Sequence, residues 1–375
     1  MSDITRRSFL TRTGTGIALA GLGATILQTS ARAQDNNAGD KKLGFAFVGL
    51  GGFATKQLMP NIAASKHCRM AALVSGHPEK AKKLAEQYKL DPKNIYNYEN
   101  YDSLKDNPDV DVIYIVLPNS MHKDFTLRGF KAGKHIMCEK PMAVSSKECQ
   151  EMIDAGKSAG KKLQIGYRMH YEPHQLEAIR ILRAKELGEL KQINTDMGFR
   201  LMDAGAWRLH KDLSGGGALM DIGIYGLNAS RYLTGEEPIE VSAMTYKPDN
   251  DPRFATVEEG CNWLLKFPSG VLCSNTTSYS YAGQTKWRAV CTEGYIDCEP
   301  AISYSGVKIR VSHHGKEEPK DVPESNQFAT EMDVFADCIM NNKEPRSGGE
   351  EGLRDVKIME AIYESARTGK TIKLA

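Results

Sequence analysis

The strand-like run Phe45-Ala46-Phe47-Val48 leads without a break into Gly49-Leu50-Gly51-Gly52-Phe53-Ala54. No other stretch constrains the fold of this chain as strongly. A G-x-G-x-x-A turn between strand and helix needs its first glycine for the tight turn and its second so that a pyrophosphate can approach the backbone. A small sixth residue lets the helix pack closely. Phosphate oxygens then meet unpaired amides at the helix N-terminus. The pattern by itself also fits an ordinary strand–helix turn, so its surroundings decide. Behind it, the apolar runs Met70–Val74, Val112–Leu117, His135–Cys138 and Leu163–Ile165 alternate with helical patterns near 55–64, 78–88, 120–132 and 146–159. The runs are continuous, as strands buried on both faces are. Residues 43–166 are therefore expected to form a parallel Rossmann sheet that binds a dinucleotide. The helix at 146 opens on Ser145-Ser146-Lys147-Glu148, a capping box.

Beyond residue 167 the pattern changes. A long helix at 174–186 and a Gly215-Gly216-Gly217 turn feeding a helix at 218–233 come first. Strand-like segments follow near 191–199, 239–246, 260–267, 271–280, 287–292 and 306–312, with closing helices near 327–341 and 350–367. These predict an α+β domain over 167–375 with a large, mostly antiparallel open sheet. The fold class is α/β in two domains, for which 375 residues, 41% of them apolar, give enough core. A net charge of +2 without any long basic block gives no support to a nucleic-acid partner.

The first 33 residues hold four arginines and one aspartate, so the rest of the chain carries −1 of that +2. Thr5-Arg6-Arg7-Ser8-Phe9-Leu10 reads as a twin-arginine motif, Ile17–Leu27 as its apolar segment and Ala31-Arg32-Ala33 as a cleavage site. The apolar run is too short and too rich in glycine and alanine for a membrane anchor. Residues 1–33 are expected to be an export signal, 34–42 a short arm, and the mature protein periplasmic without a membrane segment. Eight cysteines without a C-x-x-C predict buried, unpaired thiols, which a protein exported already folded can keep. No metal site is expected, because His170 with His174, and His313 with His314, each lack an evident third ligand.

The second strand ends in Leu73-Val74-Ser75-Gly76-His77, without the acidic residue that bonds ribose hydroxyls in NAD sites. A Ser75 hydroxyl, a Gly76 amide and a Lys80 ammonium suit a 2′-phosphate, so NADP is expected, with Glu79 turned to solvent. The loops Leu117-Pro118-Asn119-Ser120-Met121-His122 and Cys138-Glu139-Lys140-Pro141 follow later strand ends, where open α/β sheets bind ligands. Asp221 and Tyr225, four residues apart on a helix, project from one face.

With Gly166-Tyr167-Arg168 and the run from Gly216 to Asn228, these motifs resemble the Gfo/Idh/MocA oxidoreductases, most of all their periplasmic glucose–fructose oxidoreductase branch. The likeness covers nearly all of the chain after the signal, including Ala72–Gly76 and Gly349-Glu350-Glu351-Gly352. It implies an NADP-dependent enzyme acting on sugar CH–OH groups and a homo-oligomer, tetramer or dimer, assembled through the open sheet. It places Ser75, Lys80, Tyr98, the Leu117–His122 loop, Lys140, Arg168, Trp207, Arg208 and Tyr304 around the NADP. Lys140, Asp221 and Tyr225 fall where the family handles the proton. Moving hydride to or from a sugar carbon needs one group that both accepts and donates a proton. A phenol ionises near pH 10 when free and an ammonium beside it favours the phenolate, so Tyr225 with Lys140 fits an acid/base couple and Asp221 would orient the substrate hydroxyl.

Outside the cytoplasm NADPH is scarce, so an exported enzyme turns over only if the cofactor stays bound and a second sugar regenerates it, with ping-pong kinetics. The resemblance implies oxidation of an aldose to its lactone coupled to reduction of a ketose or aldose to an alditol. The alternatives are an NADP-dependent aldose or cyclitol dehydrogenase that releases its cofactor, and a sugar- or nucleotide-binding protein without catalysis. Against the branch it resembles, the chain has a short arm without proline at 34–42 and a short stretch, 201–206, before Trp207.

Overall fold

The computed structural model describes residues 42–374; the expected signal and all but the last residue of the arm lie outside them. Six strands form a parallel sheet: β1 (Leu43–Val48), β2 (Cys68–Val74), β3 (Ile95–Tyr96), β4 (Val112–Ile115), β5 (His135–Glu139) and β6 (Leu163–Gly166). Their order is β3-β2-β1-β4-β5-β6, with every pairing parallel. The order reverses between β1 and β4, which opens a crevice at their carboxyl ends. β4 is buried along its whole length and β1 from Gly44 onward, as the continuous apolar runs require. The two-residue β3 is too short to leave a sequence signal.

One face of this sheet is covered by Phe125, Phe130, Cys149 and Met152, from the helices His122–Lys131 and Ser146–Ala159. On the other, Phe45, Phe47, Leu73 and Tyr114 pack against Phe328, Met332 and Phe335. Those three belong to the helix Gln327–Met340, so the nucleotide domain drawn in sequence as 43–166 is completed in space by a segment far down the chain. The crossover after β1 is short and irregular, with a π-turn at Ala54–Leu58 and a 3-10 turn at Ile62–Ala64. It leaves apolar sheet surface that only a second helix can bury.

The capping box forms by half. Ser145 Oγ accepts the Glu148 amide at 3.3 Å, but the Glu148 carboxylate turns to Lys123 Nζ, 3.6 Å away, where an ammonium is the stronger partner.

The second sheet has nine strands: β7 (Leu190–Arg200), β8 (Glu240–Tyr246), β9 (Gly260–Lys266), β10 (Leu272–Ser278), β11 (Ser280–Cys291), β12 (Gly294–Cys298), β13 (Ile309–His313), β14 (Lys316–Pro319) and β15 (Ile372–Lys373). Their order is β14-β13-β12-β11-β7-β10-β9-β8-β15, antiparallel except between β7 and β10. The helices Ile224–Thr234 and Gly349–Thr368 cover one face. The other stays open. Register places Met244 opposite Asn262 and Leu272 opposite Lys266, on the same side as Leu264. Met244, Tyr246, Leu264 and Leu272 are all more than half exposed there. All eight cysteines are free and buried, and no helix among the described residues is long and apolar enough to cross a membrane.

Candidate active site

Gly49 leaves β1 at φ +90°, and a Cβ on it would lie 2.3 Å from the Val116 carbonyl oxygen, so only glycine closes this turn. A Cβ on Gly51 or Gly52 would meet no atom of the protein. The backbone there faces open space at the carboxyl edge of the sheet, which fits a dinucleotide pyrophosphate lying against it. Leu50 and Ala54 point inward and are buried, while Phe53 packs against Tyr304 and Phe328 with ring centroids 5.9 and 5.8 Å away.

At the end of β2, Gly76 and Lys80 are exposed, Glu79 faces solvent and the Tyr98 ring covers Gly76. Ser75 is buried, and its hydroxyl oxygen accepts the His77 amide at 3.1 Å, so it shapes the turn beside Lys80 and the exposed backbone of Gly76 while its O–H stays unassigned.

The later loops are braced by residues expected to face the cofactor. His122 is fully buried, with one ring nitrogen 2.9 Å from the Leu117 carbonyl and the other 2.9 Å from that of Pro141. It ties the two loops together and has no nitrogen left for a ligand. Asn119, also buried, donates to the Ser214 carbonyl at 2.8 Å and fastens the first loop to the second domain. Leu117 is buried and Pro118 half-buried beside them. Glu139 accepts the Tyr114 hydroxyl at 2.7 Å, and burial raises its carboxyl above the usual range.

Lys140, at the end of β5, reaches across to the second domain. Its ammonium donates to the Asp221 carbonyl at 2.6 Å and to Asp221 Oδ1 at 3.2 Å. Asp221 stands in a widened π-turn, Leu219–Gly223, just ahead of the helix that carries Tyr225. Interruptions of this kind recur at functional sites. Its other oxygen accepts Arg208 Nε at 2.9 Å and the Tyr279 hydroxyl at 3.2 Å. Burial works against its ionisation, yet Arg208 and Lys140 outweigh burial and hold the carboxyl down at about 2. Burial likewise opposes the Lys140 charge, and Asp221 reverses that and raises the ammonium above its ordinary value. Both residues are charged across the neutral range.

Tyr225 lies beside this pair, with the Lys140 ammonium over its phenol ring, 4.9 Å from the centroid. The hydroxyl accepts Arg168 Nε at 3.3 Å. Arg168 is buried. The Ile302 and Ser303 carbonyls and Gln327 Oε1 hold its guanidinium, with the Tyr225 and Tyr304 rings 5.1 and 5.0 Å from it. Tyr225 thus meets two cations, Arg168 at its hydroxyl and Lys140 over its ring. Trp207 stacks with the Arg208 guanidinium, 4.6 Å from its ring centroid.

Two family models cover the chain in series: an oxidoreductase family with an NAD-binding Rossmann fold over residues 43–167, and the GFO/IDH/MocA C-terminal domain over 176–297. The chain belongs to the Gfo/Idh/MocA oxidoreductase family. Among Gfo/Idh/MocA relatives, a D-xylose 1-dehydrogenase [NADP(+)] of Haloarcula marismortui is 31% identical over 347 residues, 91% of this chain and 96% of its own. The crystal structure of an aldose–aldose oxidoreductase from Caulobacter crescentus, complexed with glycerol, is 46% identical. It covers 89% of this chain and 100% of that one with a TM-score of 0.87. A 3-ketoreductase from Actinomadura kijaniata in complex with NADP and TDP-benzene, 22% identical, shares the fold with a TM-score of 0.78 over 87% of this chain and 98% of its own.

Two residues of this Gfo/Idh/MocA site gave no sign in the sequence. Tyr279, which bonds Asp221, sits in the short break between β10 and β11 with only serines beside it. Glu258 receives the Gly217 and Leu219 amides at 2.9 and 3.0 Å, and so fixes the turn ahead of Asp221. A Cβ on Gly217 would lie 2.1 Å from the Glu258 carbonyl oxygen, which explains the last glycine of the run. Neither residue belongs to a motif; each is found only where strands distant in sequence meet.

Proposed function

We propose that this protein moves hydride between two sugars through NADP that stays bound, oxidising an aldose to its lactone and reducing a second aldose, or a ketose, to an alditol. The Lys140–Asp221–Tyr225 cluster, anchored by Lys140 at the carboxyl end of β5 in the same sheet whose edge carries Gly51 and Gly52, carries the reading. Likeness to an aldose–aldose oxidoreductase at 46% identity supports it, and NADP use by the xylose dehydrogenase relative supports the cofactor. Bound NADP supplies a hydride acceptor and donor at its nicotinamide ring. Lys140 and Asp221, with charges fixed, hold the reacting hydroxyl in place. Tyr225 takes the hydroxyl proton as the C–H bond breaks and returns it to the carbonyl oxygen of the second sugar.

Residues 1–33 are proposed to export the folded protein by the twin-arginine route, which makes retention of NADP a requirement for turnover. Purified from a periplasmic fraction without added nucleotide, the protein is expected to carry NADP. Its nicotinamide absorbance should rise when an aldose is added and fall when a second sugar follows. A bound nicotinamide that never cycles, with turnover dependent on added NADP, would favour an exchangeable-cofactor dehydrogenase, the reading closer to the xylose relatives.

The open face of the second sheet is the surface proposed for assembly of copies, since four large apolar side chains stand exposed on it. Leu264→Lys, placing a charge at its centre, is expected to convert the oligomer to a smaller species in size-exclusion chromatography with light scattering. An unchanged mass would move the interface elsewhere.

A further inference from the structure

At one corner of the second sheet, away from the Lys140–Asp221–Tyr225 cluster, three metal-ligating side chains meet. Glu293 occupies the turn between β11 and β12, and β13 ends in His313 followed by His314. Register pairs Gly294 with His313, which brings the preceding carboxylate beside the imidazoles. In sequence the two histidines had no third ligand; the sheet supplies one from twenty residues earlier.

Adjacent residues of an extended strand face opposite sides. Here the backbone of His314 is left-handed, φ +50°, and breaks that alternation. Its ring comes to lie on that of His313, centroids 3.9 Å apart and planes 23° from parallel. One donor atom from each of the three residues lies within 4.8 Å of the others. His313 Nε2 is shielded from water, 3.6 Å from Glu293 Oε2, and makes no hydrogen bond. An aromatic nitrogen turned away from solvent toward a carboxylate and left unbonded is a group waiting for a partner. The Glu293 and His313 side chains are 56% and 41% exposed, so they can rotate to shorten the donor separations to those a metal requires.

We propose that Glu293, His313 and His314 bind one divalent ion of the zinc class. Two imidazoles and a carboxylate suit zinc and its neighbours, whereas calcium and magnesium prefer all-oxygen sets. Three protein ligands leave a position for water. The ion would pin the turn before β12 to the end of β13 at the exposed edge formed by β14, whose four residues are all exposed. All eight thiols are buried and do not compete for it.

The test uses the full chain without a histidine tag, stripped of metal and titrated with Zn²⁺ against a chromophoric chelator near pH 7.5. One equivalent is expected to bind to the wild type and to bind at least about ten-fold more weakly to His313→Ala and to Glu293→Gln. Co²⁺ at the same site is expected to give visible d–d bands that disappear in His314→Asn, a residue that tolerates the left-handed backbone. Nucleotide content and melting temperature of the metal-free variants control for folding. Two results would overturn the proposal: no zinc uptake by the wild type, or the same equivalent retained in His313→Ala, which would assign the ion to exposed histidines such as His77 or His210.

Discussion

Tyr225→Phe is expected to lower sugar turnover by about 10²–10⁴-fold, the range for loss of a general acid/base group. NADP should remain bound, because the hydroxyl bonds Arg168 and lies on a helix of the second domain, and the substitution leaves the Gly49–Ala54 turn unchanged. The loss should appear in both half-reactions, since in the proposed reaction one oxygen takes the proton from the first sugar and gives it to the second. Stopped-flow measurement of bound nicotinamide, first with an aldose and then with the second sugar, reads each step separately. Near-normal rates in both would remove Tyr225 from proton transfer. Attention would then pass to Lys140 and to the Tyr279 hydroxyl, the groups on Asp221 with protons to give, as Asp221 is held ionised from about pH 2 upward.

Arg231→Met is expected to destabilise the protein by about 3–5 kcal/mol, the range for breaking a buried ion pair from one side. Arg231 lies on the same helix as Tyr225, with its side chain 2% exposed, and donates to Asp355 at 2.6 Å, Glu351 at 2.7 Å and Glu237 at 2.7 Å. Asn228 bonds the second Asp355 oxygen at 2.5 Å. Without the guanidinium, two buried carboxylates face each other. Burial already raises the Asp355 carboxyl to about 6, against the pull of Arg231 and with Glu351 adding to the rise.

The sign of the pH dependence follows. Removing Arg231 raises the folded-state pKa of Asp355 further above its unfolded value, so the deficit is largest above that pKa. It narrows as pH falls through that raised value to about 6, where Asp355 takes up its proton with or without Arg231; the unfolded chain titrates alike in both and cancels. Urea unfolding at pH 7.5 and pH 4 measures both quantities. A loss under about 1 kcal/mol at pH 7.5 would mean that solvent enters and the network is not dry.

The sites of these two substitutions were not equally visible in the sequence. Tyr225 stands four residues after Asp221 in a run that resembles a family, and helical spacing puts both on one face. Arg231 looks like an ordinary surface residue of an amphipathic helix until the helix Gly349–Thr368 brings Glu351 and Asp355 to it. Ser75, Asn119 and His122 show the reverse. They stand in loops expected to face the cofactor, yet their side chains turn inward to brace those loops, because a polar group buried at a loop needs a partner and backbone amides and carbonyls are nearest. At the Lys140–Tyr225 couple the structure adds what holds each member: Asp221 binds the ammonium, and Arg168 donates to the hydroxyl.

The sequence by itself determined the parallel sheet, the glycine turn at its edge, the free thiols and the open second sheet. These depend on local backbone geometry and on the period of apolar residues, which neighbouring positions carry. Only the tertiary structure decided which helix covers the back of the first sheet, which residues hold Asp221 and Tyr225, and that Glu293 stands beside His313 and His314. Each is a contact between segments remote along the chain. Such contacts are set by side-chain volume, burial and charge in three dimensions, and no local period records them.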